Sequence, residues 1–165
     1  MTRRDALFTL WAGLLFGALQ ACRTAEVLTA VAAKPVEPDY VRIWLAAQDA
    51  RPAVIPRAAR IAPVGEPGTP LVVRGRLYRT DGQQTVPNAV IFAYQTDRNG
   101  VYNAPGVRGW RLTGWAKTDA EGTFEFTMIR PAPYPSGDIL AHIHLSADGS
   151  SIARQILGDV RFADD

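Results

Sequence analysis

The stretch TMIRPAPYPSGDILAHIHLS, residues 127–146, contains both histidines of the chain and a tyrosine held between two prolines. His142 and His144 lie two residues apart in an apolar run without Gly or Pro. If this run is a strand, its two-residue period places both imidazoles on one face, close enough to bind one metal ion. A lone histidine is usually a packed or solvated side chain, but a His-x-His pair on a strand favours a metal site.

The remaining ligands of such a site must supply oxygen or nitrogen, because no cysteine lies nearby. Tyr134 is flanked by prolines that favour a stiff, extended loop, so it is either a packed aromatic anchor or a phenol aimed at a ligand. Tyr102, just after a turn at residues 97–100, is a second candidate. Two phenolates and two imidazoles form a hard, anionic ligand set that suits Fe(III) better than Zn(II) or Cu(I).

Two segments carry a family resemblance: VPNAVIFAYQTDRNGVY, residues 86–102, and GWAKTDAEGTFEFTMIRPAPYPSGDILAHIHLS, residues 114–146. They resemble the intradiol ring-cleavage dioxygenases, non-haem ferric enzymes that open catechols between the two hydroxyls. The resemblance covers roughly residues 60–162, and the order Tyr, Tyr-Pro, His-x-His is specific to that family.

Carried over residue by residue, the resemblance implies the iron ligands Tyr102, Tyr134, His142 and His144. It implies that Tyr134 is the ligand displaced by substrate, after which its phenolate accepts a substrate proton. A catechol-type aromatic and O2 would then give a cis,cis-muconic acid, with non-haem Fe(III) as the cofactor.

Two positions depart from the family pattern. Members that act on simple catechols usually have an arginine three residues before the first histidine, and this chain has Ile139 there. A family glutamine in the last strand would correspond to Gln155, although the spacing from Gln155 to Phe162 is longer than expected. The replacement at residue 139 removes one partner for the charge that develops on the substrate. Arg108, Arg111 and Arg130 are interpreted as solvated side chains; the alternative is that one of them replaces that partner or contacts an acidic substituent on the substrate.

Two other classes of function stay open. One is a lipid-tethered β-sandwich that binds iron or a catecholate without cleaving it, which Ile139 favours. The other is an adhesion or carbohydrate-binding module without metal, which would make the four spaced ligand-type residues a coincidence. A net charge of +2 without long runs of like charge argues against a nucleic-acid partner.

Beyond residue 70 the sequence predicts an all-β domain, an antiparallel β-sandwich, because short β-branched and aromatic runs alternate with turn residues. The sequence DAEG, residues 119–122, predicts a hairpin turn. Trp110 and Trp115 are interpreted as packing residues, with a pocket wall for an aromatic substrate as the alternative. The expected strands fall within residues 71–78, 89–95, 110–117, 123–128, the histidine run, and 152–162.

Residues 1–22 have the layout of a bacterial export signal: a basic start, an apolar core too short to span a bilayer comfortably, and Cys22 after small residues. Lipidation of Cys22 would give an exported, membrane-tethered lipoprotein; otherwise the protein would be periplasmic or extracellular. Arg3 and Arg4 also resemble a twin-arginine signal. Residues 23–59 are predicted to form a tether, a short helix over 37–50 and an extended linker, and residues 60–165 the sandwich.

Overall fold

The computed structural model describes residues 38–163 of the chain, which contain one helix and eight strands. The predicted export signal and the predicted tether lie outside these residues. The predicted short helix is confirmed: it begins at Pro38, a residue suited to the first helical turn, and ends at Asp49. The elements are α1 (Pro38–Asp49), β1 (Ala58–Arg60), β2 (Pro70–Arg76), β3 (Val90–Gln95), β4 (Leu112–Lys117), β5 (Thr123–Ile129), β6 (His142–Gly149), β7 (Ile152–Ile156) and β8 (Val160–Arg161).

The strands form two sheets, as the predicted β-sandwich requires. The three-stranded sheet has the order β1-β5-β2. The larger sheet has the order β4-β3-β6-β7, and β8 pairs with β6. All strand pairs are antiparallel except β1 with β5, which is parallel. Within residues 38–163, no helix is long and apolar enough to cross a membrane.

The turn at residues 119–122 does not close a hairpin, so that prediction is wrong. Backbone amides of Glu121 and Thr123 donate to the Asp119 carboxylate, which fixes the turn. The strands on either side belong to different sheets, because β4 pairs with β3 and β5 pairs with β2 and β1. Local sequence therefore specifies the turn but not the partner of the strand that follows. Strand β1 is also earlier than the first strand expected from the sequence.

Alternation along β6 separates the core from the outer face of the larger sheet. Ile143, Leu145 and Ala147 point into the core between the two sheets, where Phe126 is completely buried. His142 and His144 have the opposite parity and lie on the outer face. On strand β3, Tyr94 is paired directly with His144, so the phenol ring lies on that outer face too.

Helix α1 covers part of this outer face. The hydroxyl of Tyr40, from the helix, forms a hydrogen bond with the hydroxyl of Tyr94. Just after the helix, Arg51 pairs with Asp148 at the far end of β6. The helix is thus tied to the strand next to the histidines and to the end of the histidine strand itself.

Candidate metal centre

The two histidines meet through one nitrogen each. The Nε2 atoms of His142 and His144 are 2.9 Å apart, as the predicted strand face allows. The Nδ1 of His142 lies 2.7 Å from the carbonyl oxygen of Leu140. The Nδ1 of His144 lies 2.9 Å from an Asp159 carboxylate oxygen. Since a carbonyl and a carboxylate only accept hydrogen bonds, both Nδ1 atoms donate and both Nε2 atoms keep a free lone pair.

Asp159 was not predicted from the sequence. Ligand atoms of His142, His144 and Asp159 lie within 4.8 Å of one another, so a three-residue metal site is geometrically conceivable. The Asp159 carboxylate, however, accepts a hydrogen bond from the Nδ1 of His144. The other ring nitrogen, the Nε2 of His144, lies 2.9 Å from the phenol oxygen of Tyr102. Asp159 thus has the geometry of a residue that orients a histidine ligand and fixes its tautomer.

Tyr102 is presented by a tight loop after β3. The Asp97 carboxylate accepts the amides of Asn99 and Val101, and the carbonyl oxygen of Tyr102 accepts the amide of Arg111 at 2.9 Å. These bonds fix the backbone on both sides of the phenol. The Tyr102 hydroxyl then lies 2.9 Å from the His144 Nε2 and 2.6 Å from the Tyr134 hydroxyl.

Tyr134 is presented by a second loop that closes on itself. Its amide donates to the Ile139 carbonyl at 3.1 Å, and its carbonyl accepts from Gly137 at 2.8 Å. The prolines on either side fix φ at their own positions and restrict the residues before them. The two tyrosine rings meet edge to face, with centroids 5.8 Å apart.

The two loops are joined to each other. The Thr96 hydroxyl donates to the carbonyl of Ala132 at 2.8 Å, and the Ala132 amide donates to the carbonyl of Asp97 at 3.1 Å. Gly100 has a φ of +77°, and a Cβ there would lie 1.9 Å from the carbonyl oxygen of Pro133. Only glycine allows the loops to approach this closely, so Gly100 helps to set the distance between the two phenols.

Burial controls the protonation of these groups. It raises the pKa of Tyr102 well above the ordinary value, and the hydrogen bond and charge of Tyr134 raise it further. Burial also raises the pKa of Tyr134. The pKa of His144 is lowered, because burial and the charge of His142 outweigh the attraction of Asp159. In the metal-free protein the phenols are therefore protonated and His144 is neutral at pH 7.

The donor set fits a cation. Two Nε2 lone pairs that face each other at 2.9 Å repel unless a proton or a metal ion lies between them. The Tyr102 phenol oxygen lies against the Nε2 of His144, and the Tyr134 phenol oxygen lies against that of Tyr102. Two phenols with two imidazoles are suited to Fe(III). Binding such an ion would release the phenol protons, because a metal ligand must be deprotonated.

The donors open onto a cleft of about 530 Å³. One side is apolar and consists of Ile139, Leu140 and Ala141. Ile139 is 45% exposed, so the position of the missing arginine presents an alkyl surface to the cleft. Arg161 also lines the cleft, and sequence reasoning missed it.

Other sequence-predicted candidates lie elsewhere. Gln155 is on β7, opposite Ala147, and lines a different pocket, so it does not lie in the cleft with the histidines. Trp110 stacks on Tyr94, with centroids 3.7 Å apart and planes within 2°, which agrees with the packing interpretation.

None of the three candidate arginines lines the cleft with the histidines. They contact other groups: Arg108 pairs with Asp39, Arg111 with Glu66 and Asp97, and Arg130 stacks on Phe162.

The fold and the donor cluster match a known class of protein. The family model described as "Dioxygenase" matches residues 37–165. The chain belongs to the intradiol ring-cleavage dioxygenase family, which confirms the resemblance seen in the sequence.

The chain is also similar in sequence to an individual dioxygenase. The chain is 31% identical over 114 residues to the protocatechuate 3,4-dioxygenase beta chain of Burkholderia cepacia, covering 61% of this chain and 48% of the relative. It therefore spans about half the length of that protein.

Solved structures with the same fold include the dioxygenase domain of a dioxygenase carbohydrate-binding protein fusion from Streptomyces sp. SirexAA-E. This domain has a TM-score of 0.54 and 25% identity, with 68% of each chain covered. Hydroxyquinol 1,2-dioxygenase from Pseudomonas putida DLL-E4 has a TM-score of 0.54 and 22% identity, with 69% of this chain and 46% of that chain covered.

Proposed function

We propose that the protein is a non-haem Fe(III) dioxygenase that uses O2 to cleave a catechol-type aromatic between its two hydroxyls, giving a muconate-type product. The observation that carries the proposal is a contiguous set of four donor atoms beside a cleft, two from one strand and two from separate loops, each within 2.9 Å of the next. When bound, Fe(III) would act as a Lewis acid that acidifies the catechol hydroxyls and makes the ring reactive towards O2.

The chain's residues divide into two roles in this proposal. Tyr102, His142 and His144 would hold the ion throughout the reaction. Tyr134 would be the ligand that substrate displaces, and its phenolate would then accept a substrate proton. Supporting this division, Tyr134 is one of the residues that line the cleft and Tyr102 is not.

The apolar wall at Ile139 should lower the rate of ring cleavage, because it replaces a cationic donor with an alkyl side chain. Losing one preorganised donor for developing charge typically costs about a hundredfold or more in rate. The same wall favours the second candidate function, a site that binds iron and a catecholate without turnover. Both functions use the same four ligands, so they differ only in whether the bound catechol reacts with O2.

Oxygen consumption separates the two candidates. The purified protein is loaded with iron, and its visible spectrum and dissolved oxygen are followed while catechols are added under air. For the dioxygenase we expect a coloured protein that consumes O2 and releases a muconate. A colour shift with constant oxygen would identify the binding protein, and an iron-free, colourless protein would exclude both.

We further propose that the protein is exported and tethered through a lipid on Cys22, on the strength of the sequence of residues 1–22. Fractionation of cells that express the wild type and Cys22→Ser tests this. The wild type should remain with the membranes and the variant should be released. Equal release of both would contradict the lipid anchor.

A further inference from the structure

We propose that Arg161 makes the cleft selective for catechols that carry an anionic substituent, a carboxylate above all. This inference rests on the proposed function, because it concerns the substrate of the same site. The structure supports it through strand register, through the composition of the cleft and through the chemistry of the guanidinium group.

Strand register places Arg161 beside the metal ligands. In the β8–β6 pair, Arg161 is the direct partner of His142. Directly paired residues in antiparallel strands project from the same face with Cβ atoms about 5 Å apart. Arg161 is also exposed, and it lines the same cleft as Tyr134, His142 and His144.

The composition of the cleft leaves Arg161 as its source of fixed positive charge. Among the described residues that line it, Arg161 is the only lysine or arginine, and no ion pair to it is found within residues 38–163. The cleft also contains two acids. Asp159 accepts a hydrogen bond from His144, and Asp138 is exposed in the loop before Ile139.

The chemistry of these walls suits an aromatic ring with an acidic substituent. The ring can lie against Ile139 and Leu140, both of which are partly exposed in the cleft. The guanidinium presents a planar pair of donors that matches a carboxylate with two parallel hydrogen bonds. A catechol with a neutral substituent gains nothing from this contact.

The exposure of Arg161 indicates binding rather than acceleration of the reaction. Charge stabilisation is strongest in a water-excluded site, and solvent weakens the effect of an exposed cation on a reacting carbon. A direct hydrogen bond to a carboxylate survives partial exposure better than a long-range field does. Arg161 should therefore affect the affinity, and through it the KM, for catechols that carry an anionic substituent.

The test compares two ligands on three proteins. The ferric wild type, Arg161→Gln and Arg60→Gln are titrated without oxygen with 3,4-dihydroxybenzoate and with 4-methylcatechol, and Kd is read from the shift of the visible band. Arg60 is an exposed arginine on β1 in the other sheet, so the Arg60→Gln control makes the same change in net charge away from the cleft.

We expect Arg161→Gln to bind 3,4-dihydroxybenzoate about tenfold more weakly, as for loss of a charged hydrogen-bond partner, and 4-methylcatechol within about twofold of wild type. Arg60→Gln should match wild type for both ligands. If the ratio of the two Kd values were the same in the wild type and in Arg161→Gln, the role of Arg161 would be overturned. If no catechol shifts the band of the wild type, the proposed function itself fails, and the inference fails with it.

Discussion

The two halves of the candidate metal centre are built in different ways. The histidines come from one regular strand, where a spacing of two residues places both rings on the same face. The tyrosines come from two loops 32 residues apart, which are held together by backbone hydrogen bonds and the close approach of Gly100 to Pro133. The strand half follows from local periodicity, whereas the loop half depends on contacts between distant segments.

The largest expected effect is the loss of iron when either half loses one ligand. Tyr102→Phe removes a phenol from the loop half and His142→Ala removes an imidazole from the strand half. Both variants should contain no iron after desalting, because each leaves an incomplete set of donors. Iron analysis, with circular dichroism as a check of folding, measures this.

Tyr78→Phe is the matched control, since Tyr78 is 43% exposed and is not one of the four predicted ligands. It should retain as much iron as the wild type. A full equivalent of iron in Tyr102→Phe or His142→Ala would show that the ligand assignment is wrong.

Breaking the contact between the loops should damage the loop half alone. Gly100→Ala places a Cβ 1.9 Å from the Pro133 carbonyl oxygen in a left-handed conformation. We expect a loss of at least about 2 kcal/mol in the free energy of unfolding and weaker iron binding. Denaturant unfolding and iron titration measure the two effects.

Gly106→Ala separates crowding from backbone strain. Gly106 also has a positive φ, of +80°, but nothing lies within 4 Å of the Cβ position. Its substitution should cost about 1 kcal/mol and leave iron affinity unchanged. Equal effects of the two substitutions would mean that the approach of Gly100 to Pro133 does not position the phenols.

Removing the support of His144 should weaken the strand half without abolishing it. Asp159→Asn keeps an oxygen near the Nδ1 of His144 but removes the negative charge, and we expect iron affinity to fall about tenfold. Competition with a chelator measures this affinity. Asp138 lines the same cleft, but none of the described contacts joins it to a histidine. Asp138→Asn should therefore change iron affinity by less than about twofold. Equal losses in both variants would contradict the orienting role of Asp159.

The smallest effect concerns the far end of the histidine strand. Burial alone would raise the pKa of Asp148, but the hydrogen bonds and charges of Arg51 and Arg154 outweigh it and hold this pKa below its ordinary value. The stabilising contribution of Asp148 is therefore complete above the unfolded-state pKa and is lost as pH falls through the lower folded-state pKa. It should be about 1 kcal/mol or less.

Unfolding of the wild type and Asp148→Asn between about pH 6 and pH 3 tests this prediction. The difference in stability between the two proteins should shrink as the pH falls, and the iron content at pH 7 should be the same. A difference that does not depend on pH would contradict the role of Asp148 in tying helix α1 to the strand.

The same contrast explains what could be predicted from the sequence. The shared face of His142 and His144 follows from strand periodicity, and the sandwich follows from the spacing of short β runs. Tyr102 and Tyr134 were candidates from the sequence alone, but their assignment as ligands came from the family resemblance, because nothing local shows that their loops meet.

Asp159 and Arg161 were missed for a related reason. They reach the site because β8 returns to pair with β6, and a long-range pairing leaves no periodic signal. The wrong hairpin at residues 119–122 has the same origin, since the turn was read correctly and the partner of β5 was not.

The most direct test of the account is the resonance Raman spectrum of the ferric protein, excited in its visible band. If both loop phenols and the strand imidazoles bind one Fe(III), two sets of iron-tyrosinate modes are expected. Tyr134→Phe should remove one set and leave the other. Addition of a catechol without oxygen should remove the same set from the wild type. Iron bound to the wild type without any tyrosinate modes would contradict the convergence of the two halves on one ion.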